Sequence, residues 1–192
     1  MLGYLREHSS KCKGKDSVTG LIRSGLDEYL KVIFPETTDW VHDKTIPNSK
    51  SKRRPDYRSE SLNLIIEFDG LPHYQNPEKC FTDKQTKCFY ETLGYKVIRI
   101  PYFIQLTKSA IKTIFNKEVN EEDVFPSGNY PSLTGPCTPA YLCPLGIQRM
   151  RKEFKQFPEQ LRINLDYLEK LPVPELSGID YLLDKTDLRD LI

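Results

Sequence analysis

The stretch Leu64-Ile65-Ile66-Glu67-Phe68-Asp69-Gly70 sets the tightest limit on what this chain can fold into. An apolar run closing on two acids and a glycine reads as a buried strand that delivers carboxylates to its open end. Side chains alternate across a strand, so Glu67 and Asp69 share one face while Ile66 and Phe68 take the other. Charge on one face of a core strand is unfavourable unless the acids are paired or hold a metal. Asp56 stands just after the basic run Lys50-Ser51-Lys52-Arg53-Arg54-Pro55, and His73 follows the glycine. Carboxylates able to hold a hard cation thus lie beside cations able to hold phosphate. The combination points to metal-dependent nuclease chemistry.

Size and charge limit the partners. A chain of 192 residues is long enough for one domain with a sizeable core. Its net charge of +1 argues against gripping a long stretch of DNA alone, so the basic patches are local and partner-assisted binding fits better. Cys12, Cys80, Cys88, Cys137 and Cys143 form an odd set without zinc-knuckle spacing. Reduced thiols in a cytosol are expected, with structural zinc the lesser alternative. No apolar stretch approaches ~20 residues, so no membrane span is expected.

The chain order reads as α/β. Residues 1–16 form a polar basic arm with Lys11, Lys13 and Lys15, and 17–192 form one domain. Leu21, Ile22, Leu26, Tyr29, Leu30 and Ile33 recur at helical spacing up to Pro35. On that helix Glu28 lies at the edge of the apolar stripe, where it can reach into a site or remain a solvated acid. Strands are expected at 40–46, 54–57 and 62–68, the last two joined by a turn at Arg58-Ser59-Glu60-Ser61. Thr82-Asp83-Lys84-Gln85 has capping-box spacing and starts a helix that stops at Gly94. The strand 95–100 follows, so it and Leu64–Phe68 should be parallel neighbours through a crossover. Further on, 103–115 reads as a helix, 125–144 as a proline-rich irregular loop and 147–171 as helix interrupted at Pro158. Arg149, Arg151, Lys152 and Lys155 read as a solvated helix face or as phosphate contacts.

Phosphodiester hydrolysis needs an activated water and stabilised charge on phosphate and leaving oxygen, which carboxylate-held Mg²⁺ supplies. Asp56 and Glu67 come from adjacent strands and can therefore converge. Alternatively, either carboxylate forms a salt bridge to Arg53, Arg54 or Arg99. Glu28, Arg54-Pro55-Asp56, Ile66-Glu67-Phe68-Asp69-Gly70 and His73, in that order, resemble the PD-(D/E)-x-K nuclease superfamily. The Glu-x-Asp-Gly-x-x-His variant, followed by a helix and a Val-Ile-Arg strand, is similar to the branch around the very-short-patch mismatch repair endonucleases. The resemblance covers about residues 17–106. It implies a restriction-endonuclease-like core, a mixed central sheet flanked by helices, with a helical C-terminal part over 107–192. It also implies Mg²⁺ (or Mn²⁺) ligands at Asp56 and Glu67 and a supporting acid at Glu28.

Asp69 departs from the superfamily, for it stands where a lysine is usual. A carboxylate there can orient His73 or join the metal shell, and His73 can transfer protons or contact phosphate. Lys84 or Lys87 can replace the missing cation, and Lys52, Arg53 and Arg54 are further candidates for DNA phosphate. Size, charge and the lack of a recognition module resemble the small catalytic subunit of a heterodimeric type IIS restriction endonuclease. That resemblance implies double-stranded DNA as substrate, a larger DNA-recognising nickase subunit as partner, and a monomer when alone. The alternatives are an autonomous mismatch- or structure-specific nicking endonuclease, and a catalytically dead nuclease fold serving as a DNA-binding or interaction module.

Overall fold

A four-stranded mixed sheet with helices on both faces forms the centre of the computed structural model, which describes residues 26–104, 106–119 and 138–183. The elements are α1 (Leu26–Ile33), β1 (Val41–His42), β2 (Tyr57–Ser59), β3 (Leu64–Asp69), α2 (Pro72–Gln75), α3 (Pro77–Thr92) and β4 (Lys96–Pro101). After them come α4 (Lys108–Phe115), α5 (Pro144–Phe154), α6 (Pro158–Glu169) and α7 (Ile179–Leu183), with short 3-10 turns at Pro139–Tyr141 and Pro174–Ser177. The strands lie in the order β1-β2-β3-β4. Pairing is antiparallel up to β3 and parallel between β3 and β4, with Glu67 opposite Arg99. The expected crossover is therefore present.

Alternation along β3 splits the interior in two. Leu64 and Ile66, with Ile98 and Ile100 of β4, bury against α1 and α4 through Leu26, Leu30, Ile111 and Phe115. On the other face Ile65 and Val97 pack with Tyr90 of α3. A third apolar cluster ties the C-terminal helices to this frame, joining Tyr74, Tyr102 and Phe103 to Met150, Phe154, Leu161 and Leu168. Burying such side chains stabilises by about 1.5–3 kcal/mol each.

Several boundaries differ from those the sequence suggested. The β2–β3 turn sits at 60–63, about two residues later than expected, because Asn63 adopts the left-handed conformation (φ 47°) and donates to Glu60 O at 3.1 Å. Asp39 pins that turn by accepting from Ser61 N and Ser59 Oγ, both at 2.8 Å. The Ser61 backbone N–H leads the bonds that hold its carboxyl down at about 2. The strand expected over 40–46 is only the two residues of β1. The helix expected from Thr82 begins at Pro77 instead: Asn76 accepts from Glu78 N at 2.9 Å and proline occupies the first turn, a stronger start than the internal Thr82 box. Its stop at Gly94 (φ 90°) is as expected. Likewise α4 starts at Lys108, where Thr107 Oγ1 accepts from Ala110 N, rather than at 103. The expected basic arm over 1–16, the 17–25 part of the helix expected over 17–34, and most of the loop expected over 125–144 lie outside the described residues.

Gly146 fixes how the C-terminal helices dock. A Cβ there would lie 1.8 Å from the Tyr74 carbonyl oxygen, which is backbone and cannot rotate away. Gly146→Ala should push α5 off α2 and destabilise the protein by about 3 kcal/mol, the upper end for overpacking. Thermal or urea melts would measure it. A melt matching the wild type would show that α5 docks loosely.

Candidate active site

Two groups of acids meet at the carboxyl end of β3, and they are built differently. In the first, Asp56 precedes β2 and Glu67 lies on β3. Asp56 Oδ2 accepts from Phe68 N at 2.8 Å, and the Asp56 backbone N–H donates in return to the Glu67 carboxylate. Adjacent strands in fixed register thus bring together two acids eleven residues apart. Burial pushes the Glu67 carboxyl up to about 8, the Asp56 charge adds to the rise, and Arg99 opposes it. Two carboxylates that cannot comfortably ionise together suit a divalent cation, which replaces the proton and neutralises both. Tyr90 of α3 hydrogen-bonds Glu67, and its phenol is pushed up first by burial and then by the Glu67 charge.

The second group gathers around Asp69, which is fully buried. Arg99 binds it in a fork, with Nε to Oδ2 at 2.8 Å, and Arg149 of α5 reaches the same oxygen. Asp83 of α3 lies across from Asp69 and takes Arg149 Nη1 at 2.8 Å and Arg99 Nη2 at 3.1 Å. His73 Nδ1 sits 2.8 Å from Asp83 Oδ2 and 3.3 Å from Asp69 Oδ1. Glu153 completes the group, accepting from Arg149 Nε at 2.9 Å and from the Tyr74 hydroxyl at 2.7 Å, while Arg149 stacks 4.6 Å from the Tyr74 ring centroid.

Glu153 and Asp83 share Arg149 yet shift in opposite directions. Burial dominates at Glu153 and raises its carboxyl. At Asp83 burial also acts upward, but the His73 hydrogen bond and the two guanidiniums prevail and hold it below the usual range.

Ligating atoms of Asp69, His73 and Asp83 all lie within 4.8 Å of one another, close enough to share a cation. Arg99 and Arg149 already fill those carboxylates, so an ion there would have to displace a guanidinium. The donor set at Asp56–Glu67 fits a metal better, because burial and the Asp56 charge push the Glu67 carboxyl up and a cation there can take the place of its proton.

The remaining sequence candidates are scattered. Glu28 is in α1, but its side chain lies outside the described residues. Lys52 and Arg54 are exposed, and the Arg53 guanidinium stacks 4.9 Å from the centroid of Phe89 on α3. Lys84 and Lys87 line a cleft on the other flank of α3, with Lys87 also 3.8 Å from Glu91. Arg149 corrects the expectation of a solvated face: it turns inward to the buried acids. Arg151 holds the carbonyls of Tyr181 and Leu182.

Sequence reasoning missed Asp83, Tyr90 and Glu153. Asp83 and Tyr90 are seven residues apart on one helix, hence on one face, a signal that was available. Glu153 gave only its i,i+4 spacing from Arg149, since its other partner, Tyr74, lies on α2. Set against protein-family models, curated proteins and solved structures, the chain matches none of them.

Proposed function

We propose that this chain is a metal-dependent DNA endonuclease, the catalytic small subunit of a heterodimeric type IIS restriction enzyme that cuts one strand when joined by a larger DNA-recognising nickase subunit. The observation that carries the proposal is the Asp56–Glu67 pair, two acids tied by reciprocal side-chain-to-backbone bonds across adjacent strands, with the Glu67 carboxyl pushed up by burial and by the Asp56 charge. Asp56 and Glu67 would hold Mg²⁺, which supplies a lowered pKa for bound water and charge neutralisation at the phosphate. Tyr90 orients Glu67. Arg53, fixed on Phe89 near Asp56, provides a cation for the substrate phosphate. Asp69 and His73 serve this site from beside it, where the arginine cluster fixes the end of β3. Among the described residues no helix is long and apolar enough to cross a membrane.

Plasmid cleavage is the test. With Mg²⁺ and moderate salt, the chain alone should bind DNA weakly, with non-specific Kd of about 10⁻⁴–10⁻⁶ M, and cut no specific site. Adding a larger DNA-recognising nickase subunit should convert its specific nick into a double-strand break, and EDTA should abolish the second cut. Specific double-strand cleavage by the chain alone would favour the autonomous enzyme. No cleavage under any pairing would favour the binding module.

A further inference from the structure

Beyond the carboxylate pair, a cleft of about 620 Å³ runs along the free edge of β4. Its walls are α3, α4 and α5. We propose that this cleft is a docking site for an extended acidic peptide segment of a partner protein, which adds as a strand to β4.

The backbone supplies the first reason. Lys96 N donates to Asn63 O at 2.8 Å and Tyr102 N to Asp69 O at 2.9 Å, so the even-numbered residues of β4 turn their polar groups toward β3. The N–H and C=O of Val97 and Arg99 therefore turn outward, and no described strand pairs with that edge. An unpaired edge with donors and acceptors two residues apart is a template for one more strand. Pro101 cannot donate, and it limits the template to about this length.

Side chains give the second reason. Ile98, Ile114, Leu145 and Phe157 contribute apolar surface to the cleft. Exposed Lys84, Lys87, Lys96 and Lys152 surround it, while its two acids, Asp83 and Glu153, are already held by Arg149. Lys87 lies 3.8 Å from Glu91, but the charge of Lys84, Lys96 and Lys152 is uncommitted and positive, and an occupant carrying carboxylates at alternate positions complements it. Outward carbonyls of Val97 and Arg99 and the apolar surface fit a peptide backbone better than a row of phosphates.

The cleft also stands apart from the carboxylate pair. Lys87 and Phe89 are two residues apart on α3, so they project roughly 200° from each other around its axis. Phe89 carries Arg53 on one flank, and Lys87 faces the cleft on the other. Occupation of the cleft leaves Asp56 and Glu67 open, and the inference does not depend on nuclease activity.

The probe is an acetylated, amidated hexapeptide alternating valine and glutamate, titrated into the full ¹⁵N-labelled chain without divalent metal. Saturable shifts of the Val97 and Arg99 amides are expected. Lys84→Glu with Lys96→Glu should weaken binding about tenfold, since two attractions become repulsions. Both lysines are exposed, so the fold should survive, and an unchanged amide spectrum elsewhere checks that. The same peptide methylated on every backbone amide keeps its charge but loses its donors, and it should not bind. Equal binding of the methylated peptide would reduce the cleft to a charged surface. Absence of shifts at Val97 and Arg99, or stronger lysine-dependent binding of a single-stranded oligonucleotide, would overturn the proposal.

Discussion

Glu67→Gln should abolish Mg²⁺-dependent cleavage while making the metal-free protein more stable above neutral pH. The two effects have one cause. Glu67 is pushed up to about 8 by burial and by the charge of Asp56, so its proton is bound more tightly folded than unfolded. The stability linked to that proton is complete below the ordinary glutamate value and is lost as pH rises through about 8. Glutamine carries no such proton, so the variant should lack this decline. Its advantage at pH 8.5 should be on the order of a few kcal/mol, read as a raised melting temperature. Asp56→Ala should act in the same direction through relief of the like charge.

Adding Mg²⁺ should reverse the ranking. The wild-type melt should rise with metal and the variants' should not, because binding to the folded state alone stabilises it. Cleavage should fall roughly 10³-fold in either variant, about 4 kcal/mol in the barrier. Activity within tenfold of wild type, or a Glu67→Gln melt unchanged at pH 8.5, would remove Glu67 from the site.

How much of this was legible in the sequence depends on how far apart the partners lie. Leu64 to Asp69 announced itself as the central strand, and the helix and strand after it fixed the parallel crossover. The period of two correctly placed Glu67 and Asp69 on one face. It could not show that these neighbours face different surroundings. Glu67 meets Asp56 through the β2–β3 pairing, which local pattern implies. Asp69 meets Arg149 from eighty residues downstream, and that contact depends on α5 docking at Gly146. No periodicity encodes such a contact. Arg149 read as surface charge because its helix carries cations on several sides, and only the docked position of α5 selects the one that turns inward. Element ends slipped for a smaller reason: Asn63 and Asn76, rather than the more familiar serine and threonine signals, set the turn and the cap.

Asp69→Lys restores the residue usual for the resembled superfamily, and in this protein it should unfold the domain. The substitution would place an ammonium among Arg99 and Arg149 at a position with no solvent exposure. Breaking a buried ion pair typically costs about 3–5 kcal/mol, and here the new charge also repels both guanidiniums. That is a large share of the roughly 5–15 kcal/mol that keeps such a domain folded. Asp69→Asn retains the shape and some acceptors, so it should destabilise less. Coupling is the diagnostic: Arg149→Met should cost less in an Asp69→Asn background than alone, because the charge it balanced is already gone. Acid should act on the same cluster through Asp83. Its carboxyl is held low by His73, Arg99 and Arg149 against the upward pull of burial. The stability it contributes is present above the ordinary aspartate value and is lost as pH falls through the lower folded one. Melting temperatures of the single and double variants at neutral pH, repeated at acid pH, would test each step. An Asp69→Lys protein that melts like the wild type would show that Asp69 does not hold the cluster, and a gain in cleavage would assign this position the cationic role of the superfamily lysine.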